Sequence, residues 1–428
     1  MDAGRGPISR YAPDAQKRPP RRSGRLPRRC YAERVSEPGV FLIPALAVLA
    51  PLFARSISAW VKVPIVVFEL LLGIAVGPSL LGWVDKSDLL NWLSEFGLAA
   101  LFFVAGNEIR FRSLGSGLLG RASLAWVGSL AMGLAAGFLI APGEAAVIIA
   151  IALSSTALGA LIPILRDAGE LGSPFGKATT AMGAVGEFGP LVAISVFLGT
   201  RSPGLSVLVL TLFVVITGAA ILVAIRMQHG HLHRLVSASL HTSGQFAVRV
   251  VIFTLASLVA LSALLDLDIL LGAFAAGVMW QIVMRSAPEE DLEQVESKIE
   301  AIAFGFLVPL FFIYTGVTFN LDALLGSTQA LILLPVFLVL LLVIRGVPAQ
   351  LVAPKGAAPS ERASLGLLSA TALPIIVAVT AIGVDEKVLD PALASSLVGA
   401  GMLSVLLFPL VGMTLRPADA RRTSRAST

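Results

Sequence analysis

Apolar residues run along this chain in long stretches, separated by short polar connections. Thirteen stretches come close to or exceed the about 20 residues that a helix needs to cross about 30 Å of hydrocarbon. They cover residues 38–54, 63–83, 92–109, 122–141, 145–165, 175–199, 204–226, 244–265, 268–285, 299–319, 328–353, 363–384 and 389–414. The pattern predicts an all-α polytopic membrane protein of about 13 transmembrane helices.

Composition supports the same fold class and narrows the function. Charged residues make up 14% of the chain and hydrophobic residues 56%, whereas a soluble domain carries about 25% charged residues. The lone cysteine, Cys30, excludes an intrachain disulfide framework and a multi-cysteine metal site. We find no phosphate-cradling loop, HExxH motif or nucleophile elbow. An enzyme is therefore the least favoured class, and we expect no cofactor, no metal and no nucleic-acid partner.

Lysine and arginine are distributed unevenly between the two sets of connections. With the N-terminus outside, the connections and tail on the inner side hold 17 of these residues and the outer connections hold 3. This asymmetry follows the positive-inside rule. It predicts a multi-pass protein of the cell membrane with its C-terminus in the cytoplasm.

Three parts of the chain are predicted from this pattern. Residues 1–36 form a basic tail, disordered by composition, that carries ten Lys and Arg residues. The predicted topology places this positive charge outside, against the positive-inside rule. One explanation is that the start codon is assigned too far upstream. Residues 37–415 form the transmembrane domain, and residues 416–428 form a short cytoplasmic tail.

Three pairs of segments recur in the same order in the two halves of the chain. The pairs are 70–77 with 270–277, 96–106 with 306–316, and 153–158 with 368–373. They match the second predicted helix with the ninth, the third with the tenth, and the fifth with the twelfth. Since an offset of seven helices is odd, the copies have opposite orientations. Inverted repeats of this kind are typical of secondary transporters.

The fifth and twelfth predicted helices are both interrupted by small polar residues. Residues 154–159 lead to Pro163, and residues 369–373 lead to Pro374. Proline removes a backbone donor, while Ser and Thr can satisfy backbone groups that a break sets free. We therefore predict broken helices whose ends meet near the midplane, where their dipoles and carbonyls can hold a dehydrated cation. A proline kink that serves packing alone is the alternative.

Two charged side chains lie deep within predicted helices. Glu187 is in the middle of the sixth, where a carboxylate is costly to ionise and is rare without a function. Burial favours the protonated form of Glu187, and a bound cation favours its ionised form. A carboxylate with both properties can exchange a proton for a cation.

Arg345 lies in the eleventh predicted helix, where it can neutralise the carbonyl ends of a broken helix or pair with Glu187. A structural ion pair and a snorkelling arginine are the alternatives. Glu69 and Glu108 are assigned structural roles first.

These motifs resemble the second branch of the monovalent cation:proton antiporter superfamily, which includes Kef-type potassium efflux proteins and many sodium/proton exchangers. The resemblance covers about residues 40–415 and rests on Gly73–Gly82, Phe102–Glu108, Leu153–Ala157, Gly272–Gly277 and Pro309–Phe312. It implies a thirteen-helix inverted-repeat fold with a dimer domain beside a mobile core domain, elevator-like alternating access and a homodimer.

The resemblance also implies roles for individual residues. The ion-binding carboxylate of the family falls on Glu187 and its late basic residue on Arg345. The chain departs from the family at Gly186, where relatives often carry Asp, Asn or Gln, and at Ala157, where some carry an acid. In addition, the carboxylate is Glu where the family usually has Asp. A single central carboxylate favours electroneutral one-for-one exchange.

The leading hypothesis is an antiporter that exchanges Na⁺ or K⁺ for protons by alternating access. Glu187 would bind cation and proton in turn, Ser155, Thr156 and Thr371 would supply oxygen ligands, and Arg345 would balance charge. A channel-like or organic-solute transporter on the same scaffold is the second hypothesis. The third is a transport-inactive membrane sensor, for which the histidine-rich connection of residues 229–241 would matter most.

Overall fold

A computed structural model of the chain describes residues 38–57, 64–109, 114–199, 201–227, 246–284 and 289–416. Within these ranges every regular element is helical, since backbone groups in lipid must be bonded within their own segment. The basic tail of residues 1–36, the histidine-rich connection and the C-terminal tail beyond Arg416 lie outside the described residues.

The helices are numbered here in chain order over the described residues. They are α1 (Pro38–Ile57), α2 (Ile65–Val76), α3 (Asp88–Glu108), α4 (Ser116–Ile140), α5 (Glu144–Leu153), α6 (Leu158–Asp167), α7 (Pro174–Phe197), α8 (Pro203–Met227), α9 (Phe246–Leu264), α10 (Ile269–Met284), α11 (Glu289–Ile302), α12 (Val308–Thr318), α13 (Leu321–Gly326), α14 (Thr328–Gly346), α15 (Pro359–Ser369), α16 (Pro374–Asp385) and α17 (Pro391–Thr414). A π-helical segment, Ala303–Leu307, joins α11 to α12, and a 3₁₀ segment, Pro348–Val352, follows α14.

Each of the thirteen predicted stretches coincides with a helix or with a pair of half-helices. Eleven helical segments of the described residues are long and apolar enough to cross a membrane, and the two shorter ones are α2 and α10. The predicted all-α fold of about 13 helices is therefore confirmed. α2 ends earlier than the stretch 63–83 suggests, at Val76, because Pro78 disfavours helical geometry at the residue before it.

The two predicted breaks are also present. α5 ends at Leu153 and α6 begins at Leu158, while α15 ends at Ser369 and α16 begins at Pro374. Pro374 occupies the first turn of its half-helix, where its missing N–H costs no hydrogen bond. Pro163 instead lies inside α6, so the break depends on the polar residues before it.

Most of the helices pack in two groups. The first bundle consists of α1, α2, α3, α9, α10 and α12, and the second bundle of α4, α5, α7, α14, α15, α16 and α17. The half-helix α6 packs on α7 of the second bundle and on α3 of the first, and α8 packs on α7 and α10. Both broken helices thus belong to the second bundle, with α6 at its boundary.

Glycines allow the backbones of α2 and α12 to approach closely. A Cβ at Gly73 would collide with the backbone carbonyl of Ile313, and one at Gly316 would collide with the carbonyl of Leu70. Close approach through small residues is the usual way in which helices associate in lipid, where apolar side chains gain nothing by leaving the tails.

The α3–α10 pair repeats this arrangement. A Cβ at Gly277 would collide with the carbonyl of Phe103, and one at Gly106 would collide with the carbonyl of Phe274. The structural equivalents are therefore Gly73 with Gly277 and Gly106 with Gly316. The α2–α10 equivalence differs by one helical turn from the sequence pairing of 70–77 with 270–277, which matched Gly77 to Gly277. Reciprocal contacts of this kind show the inverted repeat in three dimensions.

At one end of the second bundle, Arg416 follows α17 and forms ion pairs with the α6–α7 connection and with α15. Its Nη2 lies 2.7 Å from Glu170 Oε1 in the α6–α7 connection, and its Nη1 lies 2.7 Å from Glu361 Oε1 in the first turn of α15. The guanidinium also lies over the ring of Phe175, 4.0 Å from its centroid. Because Arg416 and Glu170 are both buried, the contact fixes the starts of α7 and α15 relative to the end of α17.

Replacing Gly277 with Ala tests the close approach of α3 and α10. The added methyl group collides with backbone, so we expect the free energy of unfolding to fall by about 1–3 kcal/mol, the usual cost of overpacking. Gly128→Ala on α4 is the matched control, since no atom lies within 4 Å of a Cβ there. Thermal melting in detergent measures both, and equal melting temperatures would contradict the close contact.

Candidate functional site

The non-helical segments 154–157 and 370–373 cross between the half-helices, and we call this region the crossing. Its backbone is bonded to neighbouring segments as well as to itself. The N–H of Thr156 donates to the carbonyl of Gly186 on α7 at 2.9 Å, and the N–H of Ala157 donates to the carbonyl of Thr371 at 2.8 Å. These bonds replace the helical ones that each break removes.

Arg345 is the largest fully buried side chain among the described residues, and it reaches the crossing from α14. Its Nε and Nη2 donate to the hydroxyl of Thr156 at 2.9 and 2.7 Å. The same Nε lies 3.4 Å from the carbonyl oxygen of Ser369, the last residue of α15. A positive charge is thereby placed at the negative, C-terminal end of a half-helix.

The remaining donors of Arg345 reach two other helices. Its Nη1 donates to Ser129 Oγ on α4 at 3.2 Å, and its Nη2 donates to the carbonyl of Met182 on α7 at 3.1 Å. A guanidinium that is buried without water must have its donors satisfied. Arg345 therefore joins α4, α7 and α15 to the crossing through hydrogen bonds.

Glu187 is buried on α7 and lies near the N-terminal end of the half-helix α6. Its carboxylate interacts electrostatically with the backbone N–H of Leu158, the first residue of α6. Here the positive end of a half-helix dipole favours the negative charge. Of the two carboxylate oxygens, Oε2 is buried and accepts no hydrogen bond from the described residues.

The two buried charges do not neutralise each other in this conformation. The ion pairs among the described residues include none between Arg345 and Glu187. Of the two roles expected for Arg345, the geometry matches neutralisation of carbonyl ends. Among the described residues, no ion pair therefore balances the charge of an ionised Glu187.

Because Gly186 has no side chain, the guanidinium of Arg345 can approach the crossing closely. A Cβ at residue 186 would collide with Arg345 Nη2 and lie 2.6 Å from Thr156 Oγ1. The position at which relatives of the superfamily often carry a polar side chain is thus filled here by the arginine. The departure noted in the sequence has a steric reason.

The second repeat carries a different group at the place of Glu187. α7 and α17 both have 24 residues and both begin with a proline, at residues 174 and 391, so Glu187 corresponds to Ser404. The hydroxyl of Ser404 accepts from the N–H of Ala372 at 3.0 Å and donates to the carbonyl of Ala372 at 2.9 Å. At this pair of corresponding positions, the first repeat therefore has a carboxylate and the second a hydroxyl group.

The hydroxyl groups predicted as cation ligands are all engaged in this conformation. Ser155 Oγ donates to the carbonyl of Ala152 at 2.7 Å, and Thr371 Oγ1 donates to that of Leu367 at 3.3 Å. Thr156 Oγ1 donates to the carbonyl of Ser369 at 2.6 Å while it accepts two bonds from the arginine. Their role as ligands stays a prediction and requires these bonds to rearrange.

Three residues of the site were not singled out from the sequence as site residues. Ser129 and Ser369 look like ordinary small residues of apolar helices, and Gly186 was noted only as a departure. One signal was available for Ser129, which precedes Arg345 by 216 residues, close to the offset between Thr156 and Thr371. The repeat therefore places the two opposite each other.

Comparison with known proteins decides the family. The sodium/hydrogen exchanger transmembrane family matches residues 45–415, which is most of the chain and includes all of the crossing. The chain belongs to this family. It is therefore a multi-pass membrane protein of a cation/proton antiporter family, and a transporter rather than an enzyme, as predicted.

Two curated relatives show how far the likeness extends. YjbQ of Bacillus subtilis (strain 168), a putative Na⁺/H⁺ antiporter, is 26% identical over 385 residues, which are 85% of this chain and 61% of YjbQ. GerN of Bacillus cereus, a Na⁺/H⁺-K⁺ antiporter, is 29% identical over 308 residues, which are 69% of this chain and 76% of GerN. The chain thus spans about three-fifths of the length of YjbQ.

A solved structure has the same fold. The sodium proton antiporter MjNhaP1 from Methanocaldococcus jannaschii superposes with a TM-score of 0.63, covering 90% of this chain and 98% of that one. At 15% sequence identity, this likeness shows the fold alone.

Replacing Thr156 with Val tests the contact between Arg345 and the crossing. The methyl group leaves buried N–H groups of the arginine without an acceptor, so we expect the free energy of unfolding to fall by about 1–3 kcal/mol or more. Thr156→Ser keeps the oxygen and should lose much less. Thr211→Val on α8 is the control, since that hydroxyl is exposed and bonds only within its helix. Chemical denaturation in mild detergent compares the three, and equal losses for Val and Ser would contradict the account.

Proposed function

We propose that the chain exchanges a monovalent cation, Na⁺ or K⁺, for protons by alternating access, with Glu187 binding the two in turn. The observation that carries the proposal is a buried carboxylate beside the N-terminus of α6, with one oxygen that accepts no hydrogen bond from the described residues. Such a group is stable when protonated or when bound to a cation, and costly when bare.

The position of Arg345 supports coupling between the two ions. Since its guanidinium is hydrogen-bonded to Thr156 of the crossing and to the carbonyl of Met182 on α7, it does not relieve the charge of Glu187. If Glu187 crossed the apolar interior with neither a proton nor a cation bound, its negative charge would be unbalanced, which is costly. Each direction of movement therefore requires one ligand, which gives obligatory one-for-one exchange.

The choice of ions rests on the site and on the relatives. A carboxylate together with backbone and hydroxyl oxygens suits hard cations, and the names of GerN and YjbQ mention Na⁺, and GerN also K⁺. We assign the side at which α3, α6 and α17 end to the cytoplasm, because Lys and Arg are concentrated there. A homodimer stays a prediction.

Replacing Glu187 tests the proposal in proteoliposomes that carry a pH gradient. Adding Na⁺, K⁺ or Li⁺ to wild type should dissipate the gradient, whereas Glu187→Ala and Glu187→Gln should do so no faster than empty liposomes. Glu187→Asp keeps the carboxylate and should retain part of the rate. Glu144→Gln, at an exposed position in the first turn of α5, is the matched control.

The same assay separates the alternatives. Undiminished exchange in Glu187→Gln would contradict the central role of this carboxylate. Cation flux without proton movement would favour a channel-like pathway, and no cation response at all would favour a solute transporter or a sensor. Since the proposed exchange is electroneutral, adding valinomycin at a fixed K⁺ concentration that is equal on both sides should leave the initial rate of Na⁺/H⁺ exchange unchanged.

A further inference from the structure

Glu69 is a buried carboxyl group of the first bundle that the exchange site does not use. It lies on α2 and is 5% exposed. It forms no hydrogen bond or ion pair among the described residues. A buried carboxylate without a partner is costly, so the protonated form is favoured. A protonated carboxyl group has an O–H donor, which requires an acceptor when it is buried.

The packing of α2 on α12 shows which part of α12 faces Glu69. Gly73 lies against the backbone carbonyl of Ile313, and Ser79 Oγ donates to the carbonyl of Phe319 at 3.3 Å. In both pairs the residue numbers differ by 240, so the two helices run parallel in one register. Glu69 precedes Gly73 by one turn on the same face of α2. It therefore faces α12 one turn before Ile313.

Pro309 is the residue of α12 at this level, and it removes a donor from the helix. In the π-helical segment, the N–H of Val308 donates to the carbonyl of Ala303, five residues back. The next N–H in this ladder would belong to residue 309, but proline has none. One carbonyl of the segment, four or five residues before Pro309, therefore lacks this donor. Because the carbonyls of a helix point towards its C-terminal end, this one points to the level of Glu69.

The other copy of this helix pair has neither the carboxyl group nor the proline. By the glycine equivalences of the inverted repeat, Glu69 corresponds to Ala273 on α10 and Pro309 corresponds to Ala99 on α3. α3 is an uninterrupted α-helix, whereas α12 follows a π-helical segment. The carboxyl group thus occurs in the copy whose helix lacks a backbone donor.

The helices that pack on α2 bring few ionisable groups towards Glu69. They are α1, α12 and α17. α1 contributes Arg55, which is exposed in its last turn and forms no ion pair with Glu69. α12 contributes Tyr314, whose hydroxyl donates to the carbonyl of Ser87 at 3.3 Å, and α17 has no ionisable residue. A backbone carbonyl is therefore the acceptor that this surrounding offers.

We propose that Glu69 is a proton-binding site of the first bundle, whose protonated carboxyl group donates a hydrogen bond to the carbonyl that Pro309 leaves without a donor. Loss of the proton breaks this bond and frees the junction of α11 and α12 to bend at the π-helical segment, a usual place for a helix to bend. The site makes the first bundle sensitive to pH. It is separate from Glu187 and does not depend on ion exchange there.

Glu69→Gln tests the proton directly, because an amide group donates a hydrogen bond at every pH. Infrared spectra of the purified wild type at neutral pH should contain the C=O band of a protonated carboxyl group, and the variant should lose part of that band. As the pH rises, the melting temperature of wild type should fall relative to that of Glu69→Gln. The reason is that the folded chain still holds a proton which the unfolded chain has released.

Hydrogen exchange measures the junction itself. Over the same pH range, exchange of residues 303–307 should accelerate in wild type beyond its intrinsic pH dependence, and in Glu69→Gln it should not. Glu95→Gln is the matched control for both series, since Glu95 is exposed and bonds to Asn91. It should behave as wild type does.

The inverted repeat supplies a second test. Glu69→Ala should lower the melting temperature by a few degrees, because a buried carbonyl loses its donor. The double variant Glu69→Ala/Pro309→Ala copies the alanine pair of α3 and α10 and gives that carbonyl a backbone N–H. It should recover part of the loss, so Pro309→Ala should stabilise the Glu69→Ala chain more than it stabilises wild type.

The outcomes separate this inference from the proposed function. An infrared band that is unchanged in Glu69→Gln, or a melting difference that is independent of pH, overturns the proton site. Equal effects of Pro309→Ala with and without Glu69 overturn the hydrogen bond to the freed carbonyl. If Arg55→Gln destabilises wild type but not Glu69→Gln, Glu69 is ionised and paired with that arginine, which also overturns the proposal. Exchange that persists in Glu187→Gln overturns the proposed function and leaves this site standing. If Glu69→Ala fails to fold, the Glu69→Gln series decides.

Discussion

The structure depends on how two interrupted helices are tolerated inside a membrane. Each break frees backbone groups in a medium without water, and each such group costs several kcal/mol if left unbonded. The crossing solves this with bonds between its two segments, a bond to α7 and the guanidinium of Arg345, which reaches the end of α15 and the hydroxyl of Thr156. Because the arginine is used in this way, no described cationic side chain pairs with the carboxylate of Glu187, and the proposed exchange depends on this.

Two similar halves produce one site because they differ at a few positions. Arg345 and Ser129 occupy corresponding positions in the two repeats and are hydrogen-bonded to each other. One side chain is charged, and the other is a small hydroxyl. Glu187 corresponds to Ser404, which bonds the backbone of Ala372 instead of binding an ion. The repeat supplies the crossed half-helices and the close glycine contacts. The asymmetric substitutions supply one negative and one positive charge, each at the helix end whose dipole it complements.

Much of this was predictable from the sequence because it depends on local pattern. Hydropathy predicts the helices, Ser, Thr and Pro predict both breaks, and Glu187 and Arg345 stand out as charges in apolar stretches. The partners of Arg345 were not predictable, since Ser129, Met182 and Thr156 lie far from it in the chain and are ordinary residues. The steric role of Gly186 requires the position of the guanidinium. The pairing of 70–77 with 270–277 is one turn off, because short Leu, Ala and Gly segments match equally well after a shift of one turn, whereas the pairing of 96–106 with 306–316 agrees with the structure.

The central claim is that one group, Glu187, holds either a proton or a cation. The most direct measurement adds Na⁺ or K⁺ to the purified protein in weakly buffered detergent solution and records proton release together with cation binding by calorimetry. The account predicts about one proton released per cation bound near the pH of half-protonation, and neither binding nor release in Glu187→Gln. Cation binding without proton release, or release that persists in the Gln variant, would contradict it.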